Sequence, residues 1–189
     1  MVKVVVAEDH ALVRQGIGLL LGASGGFELV AETALGSEVE LLVQHHRPDL
    51  LLLDLALSDS SGIEVALKMS LHAWRNLGQP EKTRFIALEN SYHGETIGAL
   101  GVTDIPLFSE TYRPMLRPPL RAPSPAGRQP GESLPDAAAR AMAAMDALLA
   151  EHAHEVAAVI VEPLVQGAAG MRMYDASYLT LLRAACDRH

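Results

Sequence analysis

Residues 50–70 read LLLLDLALSDSSGIEVALKMS, and this stretch decides the fold of the chain. It begins with an apolar run that is interrupted by a carboxylate, Asp54, continues through a short polar turn, and resumes with apolar residues at helical spacing. That pattern predicts a buried parallel strand followed by a helix. Open α/β sheets place their functional sites at the carboxyl ends of such strands. Functional side chains are therefore expected at the strand ends around Asp54.

The composition is typical of a globular chain without a nucleic-acid or membrane partner. The 189 residues are 49% hydrophobic and carry a formal net charge of −8, whereas a phosphate-binding surface needs clustered Lys and Arg. The apolar runs are too short to cross a bilayer, and no N-terminal signal is visible. Cys186 is the only cysteine, so no internal disulfide can form. We expect one cytoplasmic domain, residues 1–189.

The chain up to Asp54 alternates strands and helices. A β-branched run at residues 1–7 precedes a helical pattern at 10–22, and a second strand and helix lead into the run at 50–53. This βαβαβ order predicts a parallel sheet with right-handed crossovers.

Three carboxylates follow the first and third of these strands. Glu8 and Asp9 come directly after the first strand, and Asp54 follows the third. The three groups converge if the two strands are neighbours, and carboxylate oxygens are the ligands that Mg²⁺ prefers. The sequence therefore predicts that magnesium can bind at this edge.

These residues carry a resemblance to a known family. VVVAEDHALVRQGIGLLL (residues 4–21) and RPDLLLLDLAL (residues 47–57) resemble the receiver domain of bacterial response regulators. The resemblance implies that Glu8 and Asp9 bind magnesium and that Asp54 is the remnant of a phosphoacceptor. The receiver lysine is replaced by Glu162 if the strand at 156–161 takes its place. Two carboxylates about 4 Å apart repel by about 4 kcal/mol at an effective dielectric constant of about 20, which disfavours phosphorylation.

The second half has a different pattern. It predicts a helix from Gly62 to about residue 77, strands at 83–88 and 156–161, and a final helix after Asp175. A proline-rich loop is expected over residues 101–135, with at most one short strand near 116–122. Ser133 is the predicted N-cap of an alanine-rich helix.

Four segments of this half resemble the class III pyridoxal-phosphate-dependent aminotransferases, and within them the diaminopelargonic acid aminotransferases of biotin synthesis. The segments are GIEVALKMSLHAWRN from Gly62, ENSYHGET from Glu89, TYRPML from Thr111 and VIVEPLVQGAAGMRMY from Val159. The resemblance implies that Tyr92, followed by His93, stacks on the cofactor ring. Of the family's phosphate-binding Gly-Ser-Ser turn, Ser60, Ser61 and Gly62 are present in altered order.

The family's catalytic lysine and its pyridinium-binding aspartate have no match in the 189 residues. The lysines are Lys3, Lys68 and Lys82, and none lies in the family motif. Transamination needs both groups. The chain is therefore predicted not to be an enzyme and to need no cofactor; pyridoxal phosphate (PLP) binding is not expected.

The two resemblances lead to the hypothesis of an engineered chimera without natural catalytic or signalling activity. Residues 1–61 would be receiver-derived and residues 62–189 aminotransferase-derived, joined at a seam in residues 58–63. One alternative is a magnesium-binding, phosphorylatable receiver-like module. A second is a PLP-binding aminotransferase remnant without turnover. The chain would be a monomer, or a homodimer through an exposed sheet edge.

The predicted fold is α/β: a three-layer α/β/α doubly wound parallel sheet of five or six strands, a flavodoxin-like and Rossmann-like hybrid. With strands numbered along the chain, the order 2-1-3-6-4-5 keeps each family's own strand neighbours. The order 2-1-3-4-5, with residues 101–135 as a loop, is the alternative. Pairing of the strand at 156–161 with that at 50–55 distinguishes them.

Overall fold

In the computed structural model, which describes residues 1–54, 56–58 and 60–189 apart from the Ser60 side chain, the chain forms two three-stranded parallel sheets. Each sheet belongs to one of two compact units, Met1–Met69 and Ser70–His189. Leu55 and Asp59, which belong to the predicted third strand and the predicted seam, lie outside the described residues.

The sheet of the first unit is built around its N-terminal strand. The elements of this unit are β1 (Val2–Ala7), α1 (Ala11–Ala23), β2 (Phe27–Thr33), α2 (Gly36–His46), β3 (Leu50–Leu53), β4 (Ala56–Leu57), β5 (Ser60–Ser61) and the start of α3 (Gly62–Asn76). β1 pairs in parallel with β2 on one side and with β3 on the other. Its residues Val4 to Ala7 are fully buried because a central strand is covered by neighbours on both edges.

The core of this unit is small. It comprises Ala7, Val39 and Leu57, with partly buried residues such as Val43 and Met69 packed against it. The helix α1 has no buried residue, and its Leu12 is 85% exposed. The helical residues packed in this core come from α2, with Val39 and Val43, and from the start of α3, with Val65 and Met69.

The second unit has the larger core. Its elements after α3 are β6 (Arg84–Leu88), α4 (Ile97–Gly101), α5 (Pro106–Ser109), a 3₁₀ helix (Glu110–Met115), β7 (Leu120–Ala122), α6 (Leu134–His152), β8 (Val156–Ile160), β9 (Val165–Gln166), β10 (Arg172–Met173) and α7 (Ser177–Arg188). β6 is the central strand and pairs in parallel with β7 and with β8. Met142, Met145 and Leu149 of α6 are buried in this core, as their helical spacing predicts.

The single hybrid sheet predicted from the sequence is not confirmed. The observed orders are β2-β1-β3 and β7-β6-β8, which are the two halves of the predicted order 2-1-3-6-4-5. The predicted pairing of β3 with β8, which would join them, is not confirmed. In each unit the central strand has both edges paired with strands of the same unit, so the backbone hydrogen bonds are made locally. The receiver-like order 2-1-3-4-5 is not confirmed either.

The proline-rich segment contributes more structure than expected. Residues 101–135 contain α5, the 3₁₀ helix and β7, and the short strand predicted near 116–122 is observed as Leu120–Ala122. β7 is a parallel partner of β6 rather than part of a loop. The Ser133 N-cap is confirmed, because Ser133 Oγ accepts the Asp136 N–H at 3.2 Å.

Two predictions about assembly stay predictions. The boundary between the two compact units falls within α3, between Met69 and Ser70. The single domain with a junction of its two parts at residues 61 and 62 stays a prediction. Dimerisation through an open sheet edge also stays a prediction. Across the described part of the chain, no helix is both long enough and apolar enough to cross a membrane.

Candidate functional site

The loop that follows β6 carries the predicted ring-binding residues and is held by hydrogen bonds along its backbone. Asn90 has a positive φ of 59°, a conformation that Asn tolerates better than most residues. Its N–H donates to Asp104 Oδ2 at 2.9 Å, and Ser91 Oγ donates to the Val102 carbonyl at 3.1 Å. In return, the Asp104 N–H donates to the Ser91 carbonyl at 2.8 Å. The start of the loop is thus fixed to residues 102–104.

The next two residues are fixed by side-chain acceptors. The Tyr92 N–H donates to Glu162 Oε2 at 3.0 Å, and the His93 N–H donates to Thr103 Oγ1 at 3.1 Å. Gly94 follows with a φ of 111°, a backbone conformation that residues other than glycine rarely adopt. The sequence SYHG therefore folds into a preorganised turn at the carboxyl end of β6.

The Tyr92 ring is half-buried and is positioned by two neighbours. Its centroid lies 4.8 Å from that of Phe108 at an interplanar angle of 53°, and its hydroxyl donates to Glu95 Oε1 at 3.1 Å. Burial and the Glu95 carboxylate raise the pKa of Tyr92. The phenol is therefore neutral at physiological pH and presents a planar aromatic surface.

The imidazole of His93 is in an unusual environment. Burial lowers its pKa to about 4, so the ring is neutral at pH 7. Its Nε2 atom is buried and has no hydrogen-bond partner among the described residues. A buried polar atom normally has a partner, and this nitrogen can donate to or accept from a ligand.

Glu162 has a role that the sequence did not predict. Sequence reasoning placed it where a receiver has its lysine, whereas its carboxylate accepts from the Tyr92 N–H and, through Oε1, from the Gly167 N–H at 2.9 Å. Its carbonyl accepts from the Tyr174 hydroxyl at 2.5 Å.

Gln166 was also missed. It is completely buried, its Nε2 donates to the Glu89 carbonyl at 2.8 Å, and its Oε1 accepts from Ser124 Oγ. In the segment EPLVQG, Gln166 directly follows two apolar residues, Leu164 and Val165. This position was the signal in the sequence that could have predicted a buried amide.

The predicted phosphate-binding residues lie in the first unit. Ser61 is half-buried and Gly62 is the first residue of α3, a position where backbone N–H groups favour an anion. The Ser60 side chain lies outside what the structure describes. Of the three lysines, Lys82 is buried, and its ammonium group donates to the Ala153 carbonyl.

The predicted metal ligands come together in the structure. One side-chain ligand atom from each of Glu8, Asp9, His10 and Asp54 lies within 4.8 Å of the others. His10, which was not predicted, has its Nδ1 2.8 Å from Asp9 Oδ1 and 3.3 Å from Glu8 Oε1. The convergence follows from the parallel pairing of β1 with β3.

Comparison with known families identifies the greater part of the chain. The profile of the family described as "Aminotransferase class-III" matches residues 26–189. The match is continuous across the predicted seam and includes residues that were attributed to the receiver resemblance.

Relatives of known name point to the same family. The chain is 42% identical over 133 residues to an adenosylmethionine-8-amino-7-oxononanoate aminotransferase of Geobacter sulfurreducens, covering 69% of this chain and 29% of the relative. The enzyme of the same name from Helicobacter pylori is 42% identical over 130 residues, covering 68% and 28%. The chain thus spans less than a third of the length of these relatives.

Solved structures agree. An amine transaminase from an uncultivated Pseudomonas species, in a PLP-bound form, matches with a TM-score of 0.62 at 33% identity and covers 67% of this chain and 29% of its own. The adenosylmethionine-8-amino-7-oxononanoate aminotransferase of Methanocaldococcus jannaschii matches with a TM-score of 0.58 at 30% identity, covering 67% and 26%.

Two predictions are corrected by these findings. The hypothesis of an engineered chimera without function is wrong, because a natural family matches across the predicted seam and named relatives are aminotransferases of natural organisms. The expectation that PLP does not bind is also wrong, because the matched family and a related amine transaminase solved in a PLP-bound form point to this cofactor. The chain belongs to the class III aminotransferases.

Proposed function

We propose that this chain contributes the ring-facing wall of a PLP site to an aminotransferase of the kind that acts on 8-amino-7-oxononanoate. The observation that supports this most is the fixed position of Tyr92, whose N–H is held by Glu162 and whose ring is held by Phe108 and Glu95. A half-buried aromatic ring on a rigid turn is suited to stacking against a planar heteroaromatic ligand.

The residues present fit parts of this cofactor. The buried, unpartnered Nε2 of His93 offers a hydrogen bond to a polar group of a ligand beside Tyr92. The high-pKa phenol of Tyr92 adds no negative charge next to a phosphorylated ligand.

When bound, PLP supplies the electron sink that stabilises a carbanion on the amino substrate. In this proposal Tyr92 orients the ring plane, and Thr103 keeps His93 in place through its N–H. The substrate, the amino donor and turnover belong to the proposal, because the chain spans 29% of the length of the Geobacter sulfurreducens relative.

Binding of a cofactor analogue tests the proposal. We would titrate the whole chain with 4′-deoxypyridoxine 5′-phosphate, which has no aldehyde and therefore cannot react with surface lysines, and follow the fluorescence of the single tryptophan, Trp74, together with calorimetry. Tyr92→Ala should weaken binding about tenfold, in line with the loss of an aromatic stacking contact. Tyr112→Ala removes an exposed tyrosine of the same unit and should leave binding unchanged.

Two results would overturn this proposal. One is the absence of binding by the wild-type chain at millimolar analogue. The other is equal affinity of the wild type and Tyr92→Ala, because the ring wall would then have no part in recognition.

We also propose that Glu8, Asp9 and Asp54 form a divalent-cation site. The support is the convergence of their ligand atoms within 4.8 Å. Magnesium should raise the melting temperature of the wild type but not that of Asp54→Asn. An equal response to magnesium and to the same concentration of sodium would exclude the site.

A further inference from the structure

Two loops at the carboxyl ends of neighbouring strands are joined by one carboxylate. Glu162 follows β8, and its Oε2 accepts from the Tyr92 N–H in the loop after β6. Its Oε1 accepts from the Gly167 N–H, five residues further along its own loop. The two distances, 3.0 and 2.9 Å, are those of well-formed hydrogen bonds.

Glu162 is itself held in place. Its carbonyl accepts from the Tyr174 hydroxyl at 2.5 Å, and the Tyr174 N–H donates to the Leu164 carbonyl at 3.0 Å. Tyr174 is buried and packs edge-on against Tyr178, which is part of the core. The carboxylate thus projects from a backbone position that is anchored to the core and bridges two loops.

We propose that Glu162 is a positioning residue that locks the Tyr92 turn to the Gly167 loop, so that the two loops respond to a bound ring as one element. The consequence for the ring site depends on the proposed function, whereas the coupling of the loops does not. Glu162 makes no direct contact with a ligand in this proposal and acts through the Tyr92 backbone.

The chemistry of the two partners makes a carboxylate necessary. Both groups that face Glu162 are N–H donors, and a carboxylate has an acceptor oxygen for each. In Glu162→Gln, one oxygen becomes an NH₂ group, which places a donor against a donor. Gln should therefore lose at least one of the two hydrogen bonds, although it has nearly the shape of Glu, and Ala should lose both. If the Glu162 side chain only filled space, its replacement by Gln would leave the exchange of both amides unchanged.

Hydrogen exchange of the free chain tests the coupling without any ligand. In the wild type, the Tyr92 and Gly167 amides should exchange more slowly than that of the exposed Ala168. In Glu162→Gln and Glu162→Ala, at least one of the two amides should exchange about ten times faster, the change expected when a charge-assisted hydrogen bond of about 1.4 kcal/mol is lost. Glu155→Gln is the matched control, because Glu155 pairs with Arg84 at the start of β6 and with His152 at the end of α6.

Affinity for 4′-deoxypyridoxine 5′-phosphate tests the consequence for the ring site. Both Glu162 variants should bind it about tenfold more weakly, while Glu155→Gln should bind like the wild type. Tyr174→Phe removes the anchor but keeps both acceptors, and should give a smaller loss than either Glu162 variant.

The outcomes separate the two proposals. If the Tyr92 and Gly167 amides of Glu162→Gln exchange as slowly as those of the wild type, the coupling is overturned. This holds whether or not the analogue binds. If the Glu162 variants do not fold, the wild type alone tests the coupling. Rapid exchange of its Tyr92 and Gly167 amides would overturn the coupling. Slow wild-type exchange that is lost in Glu162→Gln, together with no analogue binding by the wild type, supports the coupling and overturns the proposed function.

Discussion

The side-chain amide of Gln166 donates to the Glu89 carbonyl at 2.8 Å, 77 residues away in sequence. Its oxygen accepts at the same time from Ser124 Oγ. One buried amide therefore links the segments that follow β6, β7 and β8 at the carboxyl edge of the second sheet. This amide lies at the same edge of the sheet as the Tyr92 turn, and its role can be tested by mutation.

Gln166→Leu should lower the free energy of unfolding by about 1–3 kcal/mol, because it leaves the Glu89 carbonyl without its side-chain donor and Ser124 Oγ without its acceptor. Urea denaturation measures the change. Gln129→Leu is the control, since Gln129 is exposed and such a surface substitution should stay within about 0.5 kcal/mol. Equal effects of the two substitutions would contradict this role of Gln166.

Lys82→Met should destabilise the second unit by roughly 1–3 kcal/mol through the loss of a cation–π contact and a charge-assisted hydrogen bond. The Lys82 ammonium lies 4.3 Å from the centroid of the Trp74 ring and donates to the Ala153 carbonyl at the end of α6. Thermal unfolding followed by Trp74 fluorescence gives the value. Lys68→Met, at an exposed position, should melt like the wild type.

His93 should make the chain less stable in mild acid. Its folded pKa of about 4 is below the ordinary value of 6.5, so between these pH values the unfolded chain binds a proton that the folded chain does not. The free energy of unfolding should therefore fall as the pH is lowered from 6.5 to 4. His93→Asn removes this titration. Parallel pH profiles of wild type and variant in this window would show that His93 is not buried as described.

Ser133→Ala should reduce the free energy of unfolding by about 1 kcal/mol, because α6 loses the acceptor for its Asp136 N–H. Ser133→Thr keeps a hydroxyl that can accept from the Asp136 N–H and donate to the Asp136 carboxylate, so it should recover most of the loss if capping is the cause. Denaturant titrations of the three proteins compare them. A Ser133→Thr variant as unstable as Ser133→Ala would point to a different role for the hydroxyl.

Asp54→Asn should stabilise the metal-free chain by about 1 kcal/mol, because it relieves repulsion within the cluster of Glu8, Asp9 and Asp54. The comparison is made in EDTA and again in millimolar magnesium, where the order of stability should reverse. A loss of stability in EDTA would mean that Asp54 has a favourable partner in the folded chain.

Local features of the fold were predictable because they depend on neighbouring residues. The strand at β1, the helix α2 with its observed bounds Gly36–His46, and the Ser133 cap all follow from periodicity and capping chemistry. The strand neighbours within each half were predicted too. Their arrangement in two sheets was not, because the pairing of a sheet edge depends on which strands reach it in space.

The candidate site divides in the same way. Motifs in the sequence identified Tyr92 and His93 as ring-binding candidates. The order of strands and helices predicted that Glu8, Asp9 and Asp54 converge at one sheet edge. The acceptor role of Glu162 and the bridge made by Gln166 were not predictable, because each joins groups 70 or more residues apart. The chimera hypothesis failed because two local resemblances were treated as two origins, whereas the family match spans residues 26–189.

By itself, the sequence determined the alternation of strands and helices and the family of residues 62–189, because apolar spacing and short motifs depend only on residues that are close in the chain. It also predicted Tyr92 as a ring-binding candidate. Only the tertiary structure decided which strands share a sheet. It also decided that the Glu162 carboxylate accepts from the Tyr92 turn and that the buried Gln166 amide bridges Glu89 and Ser124. Those choices depend on hydrogen-bond partners that become neighbours only when the chain has folded.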